Sequence, residues 1–221
     1  IARDITDEYR RQEQLQRTAH FDSVTGLPNR ALLADRLEQA MAAAERRGTE
    51  LAVLYLDLDG FKAINDRHGH AAGDRALASV SNVMQAGVRR GDTVARVGGD
   101  EFVIVLVDLN SRKECLLLVE RLLGKLAEPL AIGDQRVSLS ASAGLSFFAR
   151  GVSADAERLL RQADQAMYQA KNAGKNSYRL YDRQQDARLR AYLEDIGRAL
   201  DQGQFVLHYQ PIVDMQSGEL L

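Results

Sequence analysis

The stretch VARVGGDEFVIVL, residues 94–106, decides the fold. Two apolar, β-branched arms flank two glycines and two acids, and β-branched residues favour strands. The segment therefore reads as an antiparallel hairpin with buried arms and its tip at Gly98-Gly99-Asp100-Glu101. Glycine supplies the positive φ that tight hairpin turns favour, and it lets a bulky ligand approach the backbone. A purely structural turn would need only one Asn-Gly or Asp-Gly. Two glycines followed by two acids present carboxylates outward on a rigid mount. The plain alternative is a solvated turn.

A second acidic pair lies upstream. LAVLYLDLDG (51–60) reads as a buried strand running into Asp57 and Asp59, which share a strand face at i, i+2. Apolar strands that end in carboxylates suit Mg²⁺, a hard cation that prefers oxygen ligands. If the hairpin lies beside this strand, Asp57 and Asp100 would share a metal. Two such ions would activate a ribose hydroxyl and steady a pyrophosphate leaving group. The alternative is that both pairs merely solubilise strand ends.

The flanking pattern alternates helices and strands. Asn29 is placed to cap a helix over 30–47, with Leu33, Leu37, Ala40, Met41 and Ala44 on one face and Gly48 closing it. GDRALASVSNVMQAGV aligns Leu77, Val80, Met84 and Val88 as a helix. Ser111 and Glu114 stand at capping-box spacing before another. RVSLSASAGLSFF puts Val137, Leu139, Ala141, Ala143, Leu145 and Phe147 on one side and serines or Gly144 on the other, the pattern of a half-buried strand. AERLLRQADQAMYQAKNAGKN is an amphipathic helix with Leu160, Ala163, Met167 and Ala170 on one face, ending near Gly174. The expectation is a mixed α/β fold, with helices packed on a twisted sheet.

Composition narrows the function. The 221 residues allow one large domain, or one domain with pieces of others. A net charge of −2 argues against a wholesale nucleic-acid or membrane binder. The single cysteine, Cys115, cannot form an internal disulfide; it suits a reducing, cytoplasmic compartment and reads as a core thiol. No apolar run approaches the ~18 residues of a membrane span. Residues 4–22 form a polar, helix-friendly stretch, either a pairing helix that connects to an upstream domain or a solvated linker. Residues 188–203 read as a helix and 204–214 as a strand, the leading edge of a second domain. Both ends fall in mid-pattern, as expected for a piece of a longer protein.

The supporting residues suit a nucleotide. Lys62 follows the strand acids. Lys171 and Lys175 flank Gly174, where they would meet phosphates as mobile charges or simply favour the helix C-terminus. Asn65 and Asp74 carry donors and acceptors for a guanine edge. His68 and His70 bracket Gly69 in what reads as a loop, without metal-ligand spacing. No Walker-type loop is present.

RVGGDEF resembles the signature of the GGDEF family, the diguanylate cyclases. DLDGFKAINDRHGHAAGD, ADQAMYQAKNAGKNSY and TGLPNR resemble further motifs of that family, and the likeness covers residues 21–182. It implies a fold like the palm of nucleotidyl cyclases and polymerases, with a mostly antiparallel sheet. It implies condensation of two GTP into cyclic di-GMP and two pyrophosphates by a homodimer. By position, Asp57, the Leu58 carbonyl, Asp100 and Glu101 would bind two Mg²⁺ per GTP, with Mn²⁺ able to substitute. Asp100 or Glu101, with Lys62, would serve catalysis. Gly98 and Gly99 would admit the nucleotide. Asn65, Asp74, His70 and Phe61 would bind it, and Lys171 and Lys175 would hold its phosphates. The family usually carries Arg where Lys175 stands, so the charge is kept and the bidentate fork lost.

Arg89 and Asp92 have the R-x-x-D spacing that marks the family's inhibitory product site; the alternative is an ion pair in a turn. FVLHYQPIVDMQSGELL resembles the start of an EAL phosphodiesterase domain, and IARDIT the last strand of a PAS domain. Residues 1–20 would then be a signalling helix and 183–221 a linker and truncated EAL start. Two other functions remain open: a GTP-binding module that regulates an attached phosphodiesterase, and an interaction module that senses cyclic di-GMP through Arg89 and Asp92.

Overall fold

The computed structural model describes residues 19–132, 135–149, 151 and 154–206. The PAS-like strand and all but the last two residues of the signalling helix expected at 1–20, and most of the strand expected at 204–214, lie outside these residues. The chain forms two compact units, Ile1–Tyr181 and Asp182–Leu221. In the second, a helix runs over Arg183–Asp201.

The first unit alternates as the sequence reading expects. Helix α1 (Arg30–Arg47) leads to β1 (Glu50–Asp59), α2 (Phe61–His68) and α3 (His70–Gly87). The hairpin β2 (Thr93–Gly98) and β3 (Glu101–Leu109) is followed by α4 (Arg112–Leu126) and a small hairpin, β4 (Leu130–Ile132) and β5 (Gln135–Val137). Then come β6 (Ser140–Phe148), α5 (Ala156–Asn172) and β7 (Tyr178–Leu180). The five-stranded sheet has the order β2-β3-β1-β6-β7 and is antiparallel except where β6 pairs with β7. This is the mixed α/β architecture with a mostly antiparallel central sheet.

Several boundaries follow from local chemistry. Asn29 Oδ1 accepts from the Ala31 and Leu32 amides at 3.0 and 3.1 Å, and Gly48 at φ 70° closes α1. Ser111 Oγ accepts from the Glu114 amide at 3.1 Å. The segment read as a loop around the two histidines is instead two helices. His68 ends α2 and His70 begins α3, with Gly69 at φ 78° making the corner.

The sheet buries both faces, and strand alternation sorts the core into two clusters. Even-numbered β1 and β3 residues such as Leu54, Leu56, Phe102 and Ile104 pack with α2, α3 and α4. Odd-numbered Leu51, Val53, Tyr55, Val103 and Val105 pack with α1 and α5. Asp57, Asp59 and Glu101 therefore belong to the face that α1 and α5 cover.

Strand β6 departs from expectation. It is not half-buried: Ser142 and Ser146 are as buried as the alanines opposite them. Their hydroxyls are satisfied within the fold, Ser142 Oγ on Asp59 at 2.9 Å and Ser146 Oγ on the Leu159 carbonyl at 2.8 Å. Gly144 lets α5 lie directly on the strand, since a Cβ there would stand 2.0 Å from the Ala163 oxygen and 2.1 Å from the Met167 nitrogen. The buried face of α5 differs slightly from the expected phase: Leu159 is buried and Leu160 only partly so. Phe147 is likewise only partly buried, and Arg112 stacks over its ring at 4.7 Å.

Gly144→Ala is expected to push α5 off the sheet and to cost about 3 kcal/mol, read as a lower urea midpoint by circular dichroism.

Candidate functional site

The β1–β3 register brings the acids together. Asp57 stands directly opposite Glu101, and the Leu58 amide donates to the Asp100 carbonyl at 3.1 Å. Directly opposed residues in an antiparallel pair place their Cβ atoms about 5 Å apart, and like charges there are destabilising. Asp57 is only 6% exposed. Burial pushes its carboxyl up, the hydrogen bond from Lys171 opposes this, and the charges of Asp100 and Glu101 push it up again; the balance is upward. Lys171, in the last turn of α5, meets Asp57 Oδ2 at 2.6 Å. Across the same site, Tyr55 Oη donates to Glu101 Oε2 at 3.0 Å. Asp164 of α5 also feels this field: burial and Glu101 raise its carboxyl, while Lys171 and Arg30 lower it less.

The hairpin tip corrects one expectation. Neither Gly98 nor Gly99 has a positive φ. The ladder instead shifts register between Arg96 and Gly98, so a bulge rather than left-handed residues shapes the tip. A Cβ on Gly98 would be in ordinary contact with Glu101 Oε2 at 3.4 Å, and one on Gly99 would meet nothing within 4 Å. Neither backbone conformation nor internal crowding demands these glycines. A cavity of about 660 Å³ opens over them, walled also by Arg30, Ala34 and Arg96.

Arg96 braces the tip. Its Nε and Nη2 donate to the Gly99 carbonyl at 3.0 and 2.7 Å, and its Nη1 donates to both Asp22 oxygens at 3.0 Å. Burial opposes ionisation of Asp22, but hydrogen bonds from Thr25 and Arg96 outweigh it and hold that carboxyl below its ordinary range. Asp59 plays a comparable part beyond β1. It accepts from Ser140, Ser142 and the Asn176 amide, so it anchors the turn that carries Lys175. Lys175 and Asn176 themselves hold positive φ values of 64° and 43°.

The remaining sequence-predicted residues form separate groups. Asn65 seats against α3 one residue before Asp74: a Cβ on Gly73 would lie 1.9 Å from Asn65 Oδ1. Phe61 packs in the core at this contact. Lys62 and His70 are exposed on α2 and α3, and among the described residues neither is bonded to the acids. Arg89 and Asp92 lie at the far end of β2, roughly 17 Å from the tip at the usual strand rise. They form a turn, not an ion pair: the Arg89 amide donates to Asp92 Oδ2 at 2.8 Å and the Val107 amide to Oδ1 at 3.1 Å. A cavity of about 420 Å³ beside this turn is lined by Arg36, Arg47 and Arg90 together with Asp92 and Asp108, and Asp108 pairs with Arg47 at 2.8 Å. Cys115 is a buried free thiol, pushed up to about 11 by burial and then by the Asp92 charge.

Sequence reasoning missed Tyr55, Asp22, Arg96, Asp164 and the anchoring part of Asp59. Arg96 and Asp22 are 74 residues apart, so no local spacing signals their pairing. Tyr55 did carry a signal: it is the one hydroxyl-bearing residue in the apolar run that leads to Asp57.

The donor set fits a hard divalent cation, because carboxylates from two strands converge and only Lys171 directly offsets them. Among the described residues no group of three or more Asp, Glu, His or Cys forms a ready-made metal cage. Mg²⁺ characteristically uses one or two carboxylates plus substrate phosphates, not a closed protein cage.

A two-faced sheet with a glycine-tipped acidic hairpin beside a strand-end aspartate defines a class, and comparison gives it a family. Residues 19–177 match the family described as "Diguanylate cyclase, GGDEF domain", and the chain belongs to it. The bifunctional diguanylate cyclase/cyclic di-GMP phosphodiesterase MucR of Pseudomonas aeruginosa is 40% identical over 215 residues, 96% of this chain and 31% of MucR. The cyclic di-GMP phosphodiesterase NbdA of the same organism is 39% identical over 209 residues, 93% of this chain and 26% of NbdA. The chain thus spans less than a third of either relative. A solved structure of truncated P. aeruginosa TpbB, comprising only the GGDEF domain, superposes with a TM-score of 0.73 at 38% identity, covering 77% of this chain and 99% of that one. Among the described residues no helix is long and apolar enough to cross a membrane.

The raised Asp57 carboxyl has a consequence for stability. The folded state holds the Asp57 proton more tightly than the unfolded chain does. Ionising it therefore costs stability as pH rises above about 4. In metal-free protein, Asp57→Asn is expected to be more stable than the native chain at pH 7 by about 1 kcal/mol. The gap should close as pH falls towards 4, measured by urea unfolding in EDTA.

Proposed function

We propose that this domain is a diguanylate cyclase, condensing two GTP into cyclic di-GMP with release of two pyrophosphates. The observation that carries this reading is the juxtaposition of Asp57 with Glu101 beside Asp100 and an open glycine ledge. Like charges opposed across a ladder weaken a sheet unless something else uses them.

Asp57, the Leu58 carbonyl, Asp100 and Glu101 would hold Mg²⁺, with two ions per GTP and Mn²⁺ able to substitute. Bound there, the metal lowers the pKa of a coordinated hydroxyl and neutralises phosphate charge. The chain's own residues do the rest. Gly98 and Gly99 let the triphosphate lie against the backbone. Asn65 and Asp74 read the guanine edge, with Phe61 and His70 alongside. Lys62, Lys171 and Lys175 steady the phosphates. Asp100 or Glu101 assists removal of the 3′-hydroxyl proton. Each domain holds one GTP, so two copies must face each other, and catalysis is largely positioning and charge neutralisation.

Arg89 and Asp92 would form the product-inhibition site. Support comes from Arg89, whose guanidinium is not taken up by Asp92, and from Arg36 and Arg90 at the neighbouring cavity. In the whole protein this domain would stand between a PAS sensor and an EAL phosphodiesterase, within the cytoplasm. NbdA, named for phosphodiesterase activity at 39% identity, favours a second reading. In it the domain binds GTP and tunes an attached phosphodiesterase without turnover.

Incubation with GTP and Mg²⁺ and chromatography of the products tests both. Cyclic di-GMP formation supports the cyclase; GTP binding without product supports the regulatory module. Asp100→Ala is expected to lower synthesis by at least about a hundredfold with the circular dichroism spectrum unchanged, and EDTA to abolish it. Normal turnover by Asp100→Ala would refute the site. Arg89→Ala is expected to leave initial rates intact and to relieve inhibition by added cyclic di-GMP. Unchanged inhibition removes that assignment.

A further inference from the structure

We propose that Tyr55 is a positioning residue for Glu101: its hydroxyl donates to Glu101 Oε2 and holds that carboxylate in one orientation toward the metal and nucleotide. The inference rests on the reading of Glu101 as a metal-site acid given above.

The backbone sets up the contact. Tyr55 and Asp57 are two apart on β1 and share its α1/α5 face. Tyr55 pairs with Val103 and Asp57 with Glu101, so Tyr55 and Glu101 are diagonal neighbours within reach of a long side chain. The ring is 8% exposed and lies in the apolar cluster with Val53, Val103 and Met167. Packing on that scale holds a ring in one rotamer, so the hydroxyl is delivered to a fixed point.

The bond has a defined direction. An ionised carboxylate only accepts, so the phenol donates. The distance is 3.0 Å. Glu101 Oε2 also lies 3.4 Å from where a Gly98 Cβ would be, so this oxygen is seated between the hydroxyl and the glycine backbone. Among the described residues the Glu101 side chain makes no other hydrogen bond, leaving Oε1 as the oxygen available to a cation. Arg30 and Asp164 act in the same neighbourhood through charge alone, without fixing an orientation.

An unbonded hydroxyl in such an apolar strand would carry a desolvation cost, and a phenylalanine would fill the same space without it. The hydroxyl's partner is a site acid instead of a backbone carbonyl. Groups that orient metal ligands in this way typically change metal affinity by ten- to a hundredfold when removed.

The experiment measures how much Mg²⁺ tightens binding of α,β-methylene GTP, which cannot be condensed. Calorimetry in Mg²⁺ and in EDTA gives this factor for the native chain, Tyr55→Phe, Glu101→Gln and the double variant. Tyr55→Phe is expected to lower the factor about tenfold while leaving EDTA binding and melting close to native. The double variant should match Glu101→Gln, since the hydroxyl acts only through that carboxylate. If Tyr55→Phe folds poorly, Tyr55→Met replaces it. A native factor in the tyrosine variant overturns the proposal, as does a double variant well below Glu101→Gln. A native factor in Glu101→Gln also overturns it. Asp57→Asn then separates the two readings: a lowered factor there keeps the metal site, and a native factor removes both.

Discussion

One constraint governs the molecule's working end: the antiparallel register of β1 and β3, which sets Asp57 opposite Glu101. A sheet built for stability alone would not oppose two carboxylates across a buried ladder. Here the opposition is maintained by a surround of partial compensations. Lys171 reaches back from α5 to pair with Asp57, and Tyr55 donates to Glu101. The tip between them is tied down by Arg96, which links the Gly99 carbonyl to Asp22. Each contact comes from a different element, so the acidic cluster exists only when the layers have closed on the sheet.

The scaffold makes this possible through close approaches. Gly144 lets the α5 backbone touch β6, which brings Lys171 and Asp164 toward Asp57 and Glu101. Gly73 lets the Asn65 side chain seat against α3 at the turn of helix that carries Asp74. Strand β1 ends between these two arrangements. Its odd residues turn toward α1 and α5, its even residues toward α2, α3 and α4. The acids and the proposed guanine contacts thus lie on opposite sides of one strand end, the disposition a nucleotide draped over that end would use. Asp59 completes the scaffold by binding the serines of β6 and the Asn176 amide.

Much of this was legible in one dimension because it depends on local rules. Hairpin arms, helix caps and apolar periodicity are properties of neighbouring residues, and Asn29, Gly48 and Ser111 do what their types dictate. The misreadings share a physical origin. Alternation places the β6 serines toward water, where a hydroxyl normally prefers to be, yet Asp59 and the Leu159 carbonyl supply partners inside. The hairpin glycines suggest positive φ because most tight turns need it, yet a bulge between Arg96 and Gly98 shapes the tip instead. In both cases a distant partner or a register shift satisfied the demand that local chemistry had identified.

The sequence by itself determined the alternation of helices and strands, the hairpin at 94–106, the family, and which acids and cations were candidates. These depend on residue type, spacing and motif, which folding does not alter. Tertiary structure decided which groups partner which: Lys171 pairs with Asp57, Tyr55 donates to Glu101, and Arg96 pairs with Asp22 and donates to the Gly99 carbonyl. Such pairings join residues up to 114 positions apart (171 − 57), and only the packed sheet brings them within hydrogen-bonding distance.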